Sequence, residues 1–342
     1  MANLKITNPN DLGVLVVGAG IAGLTLARNL VRHGMKVTVF DKSRGVGGRL
    51  ASRRGGGLTW DHGIVALHPS DIPPEIYVDW KSLGILESRK DQASMSWICP
   101  EGMTQLPKAL EQGVDVVRDA KIDLIRIGPG GKVWMIRDDS GTWHYGNKLV
   151  LAVPAPQAEL LLEASFPQQM VSLKESLAQI KYRPTLTVLA TVSRKKYPEL
   201  SLKAVSPIEM IIENGEKGIK MGTGALTIHL NEAYSVKNFE LSEQKVLREI
   251  KSLVASKMGI EISNLVLKKW RYSQVTHALE DPFLSAKLTS PLFVIGDGFC
   301  GGGLKGSLMS ASSLADRLIN PPATKEPWRP NGKKAIHLYC PK

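Results

Sequence analysis

Apolar and polar positions along this chain fall into blocks that predict strands and helices in turn. Val14-Leu15-Val16-Val17 is apolar throughout, β-branched at three of four positions, and bounded by Gly13 and Gly18, which predicts a buried strand. From Ile21 to His33 the spacing becomes helical, with Leu24, Ala27, Leu30 and Val31 on one face and Gly34 as the stop. Met35 to Phe40 reads as the next strand. A strand, a helix and a second strand in this order require a parallel pair with a right-handed crossover.

After Ala66 the pattern changes. Pro69, Pro73 and Pro74 interrupt the chain before a helical stretch that leads to Gly84. Hairpin strands are expected at Val114–Val117, Ile122–Ile127, Val133–Arg137 and Trp143–Tyr145, separated by turns rich in Gly, Pro and Asp. Leu149–Val153 reads as a strand stopped by Pro154 and Pro156. A β-rich run starts at Thr185, a long helix is expected over Phe239–Met258, a buried strand over Leu292–Ile295 and a closing helix over Leu304–Ile319. The segment from Pro321 to Lys342 is rich in Pro and Lys and reads as a loosely held tail.

These elements predict an α/β fold with a Rossmann-like cofactor-binding domain and a discontinuous α+β substrate domain of mixed sheet. The expected division is 10–66, 105–155 and 288–320 for the first, 67–104 and 156–287 for the second, and 321–342 for the tail. At 342 residues the chain has room for one large or two smaller domains. Its 43% hydrophobic and 22% charged residues exclude disorder as the main state. The longest uncharged stretch, Leu12–Ala27, has 16 residues and contains four glycines. A spanning helix needs about 20 apolar residues, so no membrane span is expected. No small-residue cleavage site follows that stretch, so a cytoplasmic location is expected. Cys99, Cys300 and Cys340 are too sparse for a disulfide framework or a zinc site, and no metal is expected. Lys and Arg exceed Asp and Glu by 44 to 32. The excess is spread along the chain without a nucleic-acid motif, so a phosphate-bearing small molecule suits it better than DNA.

Three constellations carry chemistry. In Gly18-Ala19-Gly20-Ile21-Ala22-Gly23, Gly18 permits the sharp turn, Gly20 the approach of a diphosphate, and Gly23 close packing of helix on strand. Asp41 follows 18 residues after Gly23, where a carboxylate accepts the ribose hydroxyls of a dinucleotide. Second comes Ser43-Arg44-Gly45-Val46-Gly47-Gly48-Arg49, and then Asp61-His62-Gly63. This second glycine loop suits an anion-gripping segment folded over the same cofactor, although Arg49 would also fit a plain surface arginine. Third, Gly296-Asp297-Gly298 and Gly301-Gly302-Gly303-Leu304-Lys305-Gly306 put backbone N–H groups at another helix start. A flavin needs such donors where negative charge develops on its ring, and Asp297 suits the ribityl chain.

The order of these motifs resembles the flavin-containing amine oxidase superfamily, and within it the renalase family. Asp41-Lys42 through Gly47-Gly48-Arg49, Val153-Pro154-Ala155-Pro156-Gln157, Lys269-Trp270-Arg271-Tyr272-Ser273-Gln274-Val275-Thr276, Gly296-Asp297-Gly298-Phe299 and Ser310-Ala311 each resemble renalase segments. The resemblance implies an enzyme with non-covalent FAD that oxidises the 2- and 6-dihydro isomers of NAD(P). Oxygen is then the second substrate, and hydrogen peroxide the product. It further implies that Ala22, Asp41, Lys42, Gly48 and Arg49 hold FAD, with Ile122 at the adenine. Asp297 and the helix start at Leu304 would hold the ribityl–flavin end. Val65 stands where renalases carry a flavin-side Gln, and Lys305 where they carry an acid.

Hydride loss from a dihydropyridine restores an aromatic cation, so the protein needs no strong base. Trp60, Trp97, Trp270, Tyr272 and His277 are candidates for the substrate wall, although each aromatic also fits a plain core role. Lys305 is a candidate for a position near flavin N5, or for a surface lysine at a helix start. Other functions stay open, a desaturase or isomerase among them, since the superfamily fold hosts these too. An amine or amino-acid oxidase would need a paired aromatic cage or a carboxylate-binding arginine beside the flavin, with Arg271 as the candidate arginine. A non-catalytic flavin-binding module would hold FAD without turnover. Oligomeric state is not legible.

Overall fold

The computed structural model describes residues 12–90, 95–192, 205–286 and 288–321, so the expected tail lies, after Pro321, outside the described residues. Val14–Val17 is the centre of a six-stranded sheet. Across that sheet the order is Leu284–Ala286, Leu292–Val294, Lys148–Leu151, Val14–Val17, Val37–Phe40 and Asp115–Val117, all parallel except the first. Alternation of side chains along each strand divides the apolar residues between two cores. Val14, Val16, Val37, Val39 and Val150 face the first helix, Ile21–Arg32, and the closing helix, Gly303–Ile319. Leu15, Val17, Phe40, Leu149 and Leu151 face the other way, onto Trp134, Ile136 and the helix Ala155–Ser165. Burial on both faces is why these strands read as continuous apolar runs. Leu67, Ile72, Trp80 and Trp97 share the core of the first helix.

Three of the four expected hairpin strands form as their turn residues predict, while the fourth, Val114–Val117, is instead the parallel edge strand Asp115–Val117 of the first sheet, paired with Val37–Phe40. Ile122–Ile127, Trp134–Asp138 and Trp143–Gly146 make a three-stranded antiparallel meander. A second large sheet has the order Ile208–Glu213, Ala225–Leu230, Lys181–Val192, Ile262–His277 and is antiparallel throughout. Leu186, Val188 and Ala190 on one of its faces pack against Val246, Ile250 and Val254 of the helix Glu243–Met258. The expected pairing of a Rossmann-like part with an α+β part is thus what the structure shows.

Some boundaries differ from expectation. The long helix starts at Glu243, with Ser242 in extended conformation at its cap, and Phe239 instead closes a separate helix, Glu232–Asn238. Pro154 and Pro156 open the helix Ala155–Ser165 rather than merely stopping a strand. Proline's missing N–H is harmless in a first turn, where the donor would have no partner. The hairpin Ser52–Gly55/Leu58–Asp61 was not anticipated, although Gly56-Gly57, both at positive φ, is the dipeptide a tight hairpin turn selects.

Asp61, at the end of that hairpin, is fully buried and binds the two parts together. Its carboxylate accepts from Ser52 Oγ (2.5 Å), from Met103 N (2.8 Å) and from Lys217 Nζ. Its amide donates to Asn214 Oδ1 at 3.0 Å, and its carbonyl accepts from Thr227 Oγ1 at 2.8 Å. Lys217 is itself only 10% exposed. Removing one partner of a buried pair strands the other charge. Lys217→Met is therefore expected to lower unfolding free energy by about 3–5 kcal/mol in urea titrations, and adding Asp61→Asn to recover part of that loss.

Candidate active site

The first glycine loop folds as its spacing predicts. Gly18 has φ +112°, and a Cβ there would lie 2.6 Å from the Ala152 carbonyl oxygen. A Cβ on Gly23 would lie 2.0 Å from the Gly18 oxygen. Both are glycine because backbone approaches them. Gly20 is different: a Cβ there meets no atom within 4 Å. The chain gives no steric reason for glycine at Gly20, and the free space beside it suits the close approach of a diphosphate. Ala22, in the first turn, is buried. The helix Ile21–Arg32 has neither a side-chain cap nor an acid in its first turn, so its N-terminal donors are available to an anion.

The second glycine loop lies against the first. Gly47 N donates to Ala19 O at 2.8 Å, Gly20 and Gly47 form a bridge, and a Cβ on Gly48 would sit 3.5 Å from Gly20 Cα. Asp41 ends the second strand and accepts from the amides of Ala19 and Ser43, each at 2.8 Å. A carboxylate has roughly four acceptor positions, so lone pairs remain for ribose hydroxyls. The backbone of Asp41 bonds Val117 O and Ala120 N, which brings the start of the strand Ile122–Ile127 to the same region. Lys42 beside it is exposed.

The opposite end is built around Asp297, which is 5% exposed and follows the strand Leu292–Val294. Asp297 Oδ2 accepts from Arg49 Nη1 at 2.5 Å, and Oδ1 accepts from Tyr182 OH at 3.0 Å. The Tyr182 oxygen accepts in turn from Ala155 N at 3.3 Å. Arg49 Nη1 also reaches the carbonyls of Tyr272 and Ser273, at 3.2 and 3.3 Å. Burial pulls the Arg49 pKa down, but the charge and hydrogen bond of Asp297 outweigh it, and the guanidinium stays charged. Burial first, and Asp297 after it, push the Tyr182 phenol up, so it remains a donor. Gly303 N donates to Asp297 O at 3.1 Å, and the helix that begins there again has no side-chain cap and no acid in its first turn. Leu304 is half-buried in that turn and Lys305 exposed. The two helices with free N-termini pack against each other on one face of the sheet.

From Arg49 the site continues onto the antiparallel sheet. Ile64 N donates to Arg49 O at 2.8 Å, and a Cβ on Gly63 would meet that oxygen at 1.9 Å, so the segment 61–65 lies directly on Arg49. Val65, half-buried, follows. Trp270 Nε1 donates to His62 O at 2.9 Å, and the two rings stack at 5.4 Å. Tyr272 meets Tyr182 edge to face at 5.7 Å. Trp270 stands opposite Thr185, and Lys268 opposite Thr187, so both share the face that the segment 61–65 covers. Thr187 also stands opposite His229, whose Nδ1 lies 3.0 Å from Thr187 Oγ1. Burial, then Lys268, His229 and Arg53, hold His62 down at about 4. Burial and then Lys217 do the same to His229.

The structure thus brings Arg49, Asp297, Tyr272 and Trp270 together along one strand. It places His277 exposed at the end of that strand, next to the segment whose Leu279 N bonds Gly298 O. Two wall candidates are core residues instead. Trp60 packs on Leu189 and Ala225 and donates to Ala190 O, and Trp97 stacks on Tyr77. Arg271 points to the other face, onto Glu240 at 2.8 Å and over the Phe239 ring at 4.6 Å. Tyr182, Lys268, His229 and Thr187 were not anticipated. Their signal was the alternation of polar residues along strands 181–192, 225–230 and 262–277. Among the described residues, no group of three or more His, Cys, Asp or Glu can hold a metal, and no helix is long and apolar enough to cross a membrane.

A parallel sheet with two uncapped helix starts, two interlocked glycine loops and a carboxylate at each end defines a protein that binds an extended dinucleotide. The family description "NAD(P)-binding Rossmann-like domain" matches residues 16–83, and "Flavin containing amine oxidoreductase" matches 81–319. The chain belongs to the flavin containing amine oxidoreductase family, and its cofactor is FAD, held non-covalently. It is 33% identical over 114 residues to a 4,4'-diapophytoene desaturase of Staphylococcus haemolyticus, covering 29% of this chain and 22% of that protein. It is 39% identical over 77 residues to the mitochondrial protoporphyrinogen oxidase of Nicotiana tabacum, covering 22% of this chain and 15% of that protein. The chain therefore spans less than a quarter of the length of these relatives. A triple mutant of putrescine oxidase with redesigned cofactor binding shares the fold, with a TM-score of 0.69 and 12% identity over 90% of this chain and 98% of that one.

Two measurements check this site. Gly20→Val is expected to keep the stability of the FAD-free protein within about 1 kcal/mol while weakening FAD binding roughly tenfold or more. Gly23→Ala, which places a Cβ 2.0 Å from Gly18 O, should instead lower stability by about 1–3 kcal/mol. Urea unfolding and flavin titration separate the two. Acid is the second probe. With folded values near 4 against an ordinary 6.5, His62 and His229 take up protons on unfolding throughout that interval. Stability is therefore complete above about pH 6.5 and falls towards pH 4, by up to about 3 kcal/mol for each imidazole. His229→Gln should flatten the slope in urea titrations across that range.

Proposed function

We propose that this chain is an FAD-dependent oxidoreductase that takes a hydride from the 2- and 6-dihydro isomers of NAD(P) and passes the electrons to O2, giving H2O2. The curated relatives compared are named as a desaturase and an oxidase, which supports oxidation as the reaction type. The observation that carries the substrate class is the wall beside Arg49 and Asp297. It is made of Trp270 stacked on His62, with Tyr272 two residues further along the strand, and burial holds the His62 imidazole neutral. Such a wall receives a planar ring and leaves no proton to a base. A dihydropyridine suits it, since hydride departure alone completes the oxidation.

When bound, FAD supplies the two-electron acceptor. Gly20 leaves room and the helix start through Ala22 and Gly23 supplies donors for its diphosphate, Gly18 and Gly48 shape the loops around it, and Asp41, Lys42 and Ile122 serve its nucleoside. Arg49, Val65, Asp297 and Leu304 serve its ribityl and ring end. Trp270 and Tyr272 hold the substrate ring at reacting distance and exclude water. His277 borders this end, and Lys305 adds positive charge at the last helix start. The amino-acid oxidase alternative needs an arginine on this wall, and Arg271 lies on the other face with Glu240.

Anaerobic mixing of the holoenzyme with 6-dihydroNAD is expected to bleach the yellow colour within seconds, and air to restore it with formation of H2O2. An unchanged spectrum with either isomer, alongside bleaching by an amine, would overturn this function. An unchanged spectrum with every reductant would leave a non-catalytic flavin-binding module.

A further inference from the structure

Two cations, Lys268 and Arg53, stand at the edge of this wall, on the sheet face that the segment 61–65 covers. Lys268 lies two residues before Trp270 on the same face of strand 262–277, opposite Thr187. Arg53 stands opposite Trp60 in the hairpin 52–61, and Trp60 packs on that same face at Leu189. Each charge lowers the protonation of its neighbours: burial and then Arg53 pull the Lys268 pKa down, with Glu243 acting the other way from the helix side. Glu243 is held by Leu267 N at 3.0 Å. Among the described residues neither Lys268 nor Arg53 forms an ion pair.

A third group points to a ligand independently. His62 is 8% exposed, and its buried Nδ1 meets no hydrogen-bond partner among the described residues. Buried polar atoms without partners are costly and uncommon. An anion seated between such cations would balance their charge and form charge-assisted hydrogen bonds with both.

We propose that Lys268 and Arg53, with His62 at their border, form a subsite for a phosphate group of the substrate. This rests on the function proposed above and adds the substrate's charged part. Two residues along a strand cover about 7 Å, so a phosphate on Lys268 stands one sugar's width from a ring on Trp270. The nucleotide form of the dihydropyridine, rather than its nucleoside, is then the ligand this face is shaped for. Free inorganic phosphate is the alternative source of the same chemistry.

The test uses FAD-loaded enzyme and three oxidised probes: nicotinamide mononucleotide, nicotinamide riboside and inorganic phosphate. Binding is read by calorimetry and by the visible flavin spectrum, so no turnover is needed. The mononucleotide should bind roughly tenfold tighter than the riboside, and Lys268→Gln and Arg53→Gln should each remove most of that difference. Lys268→Arg should restore it. Unchanged FAD content in the variants shows that the fold is intact. Inorganic phosphate should compete with the mononucleotide and perturb the flavin spectrum less. Equal affinity for mononucleotide and riboside, absence of binding by both, or a preference that survives Lys268→Gln would overturn the subsite. If the preference holds while no dihydropyridine bleaches the flavin, the subsite stands and the hydride reaction falls.

Discussion

The contact between Arg49 and Asp297 joins residues 248 positions apart in the chain. One nitrogen of Arg49 also reaches two carbonyls of the strand Ile262–His277, so the second glycine loop, the C-terminal loop and the antiparallel sheet meet at a single guanidinium. A charge pair largely withdrawn from water is tolerable only when its remaining donors and acceptors are bonded. Here Tyr182 takes the second oxygen of Asp297, and Ala155 N anchors Tyr182 from the first residue of the helix Ala155–Ser165. The two large sheets are therefore set relative to each other at the place where the ring of a long ligand would lie.

Steric closeness does the rest at the diphosphate end. Gly18, Gly23, Gly47 and Gly63 are each held within 3 Å of a foreign atom if given a Cβ, and three of those four atoms are backbone oxygens. Gly20, in their midst, is not. Those four positions are thus pressed against neighbouring atoms while Gly20 is open, and Gly20 is the residue from which a helix starts with its donors free.

The parts legible in the sequence were those whose causes are local. A β-branched run between glycines, a helical stripe and a Gly-Gly turn each determine their own conformation, and the Rossmann half followed from them. The antiparallel sheet was largely hidden because its strands carry register shifts, as between Arg183 and Thr185, and because one face is polar. A face bearing Thr185, Thr187, His229 and Lys268 reads as solvent-facing, yet Thr185, Thr187 and the ring of His62 are buried by the contact of two sheets. That Asp297 and Arg49 bind each other was not legible, since pairing across 248 residues leaves no trace in spacing. Trp60 and Trp97 were placed on the wall because an aromatic's type does not tell which side of a sheet it covers.

Charge along the strand 262–277 is graded, and the gradient suits the proposed chemistry. Near Trp270 the imidazole of His62 is neutral; two residues away, towards Lys268, the surface is cationic. A dihydropyridine that loses hydride becomes a cation where it stands. Two unit positive charges about 4 Å apart repel by roughly 4 kcal/mol at an effective dielectric of about 20. A protonated His62 against the reacting ring would add opposition of that order to the product state. Burial is the main cause that keeps His62 unprotonated beside the ring, with the surrounding cations adding to it in the absence of an anion.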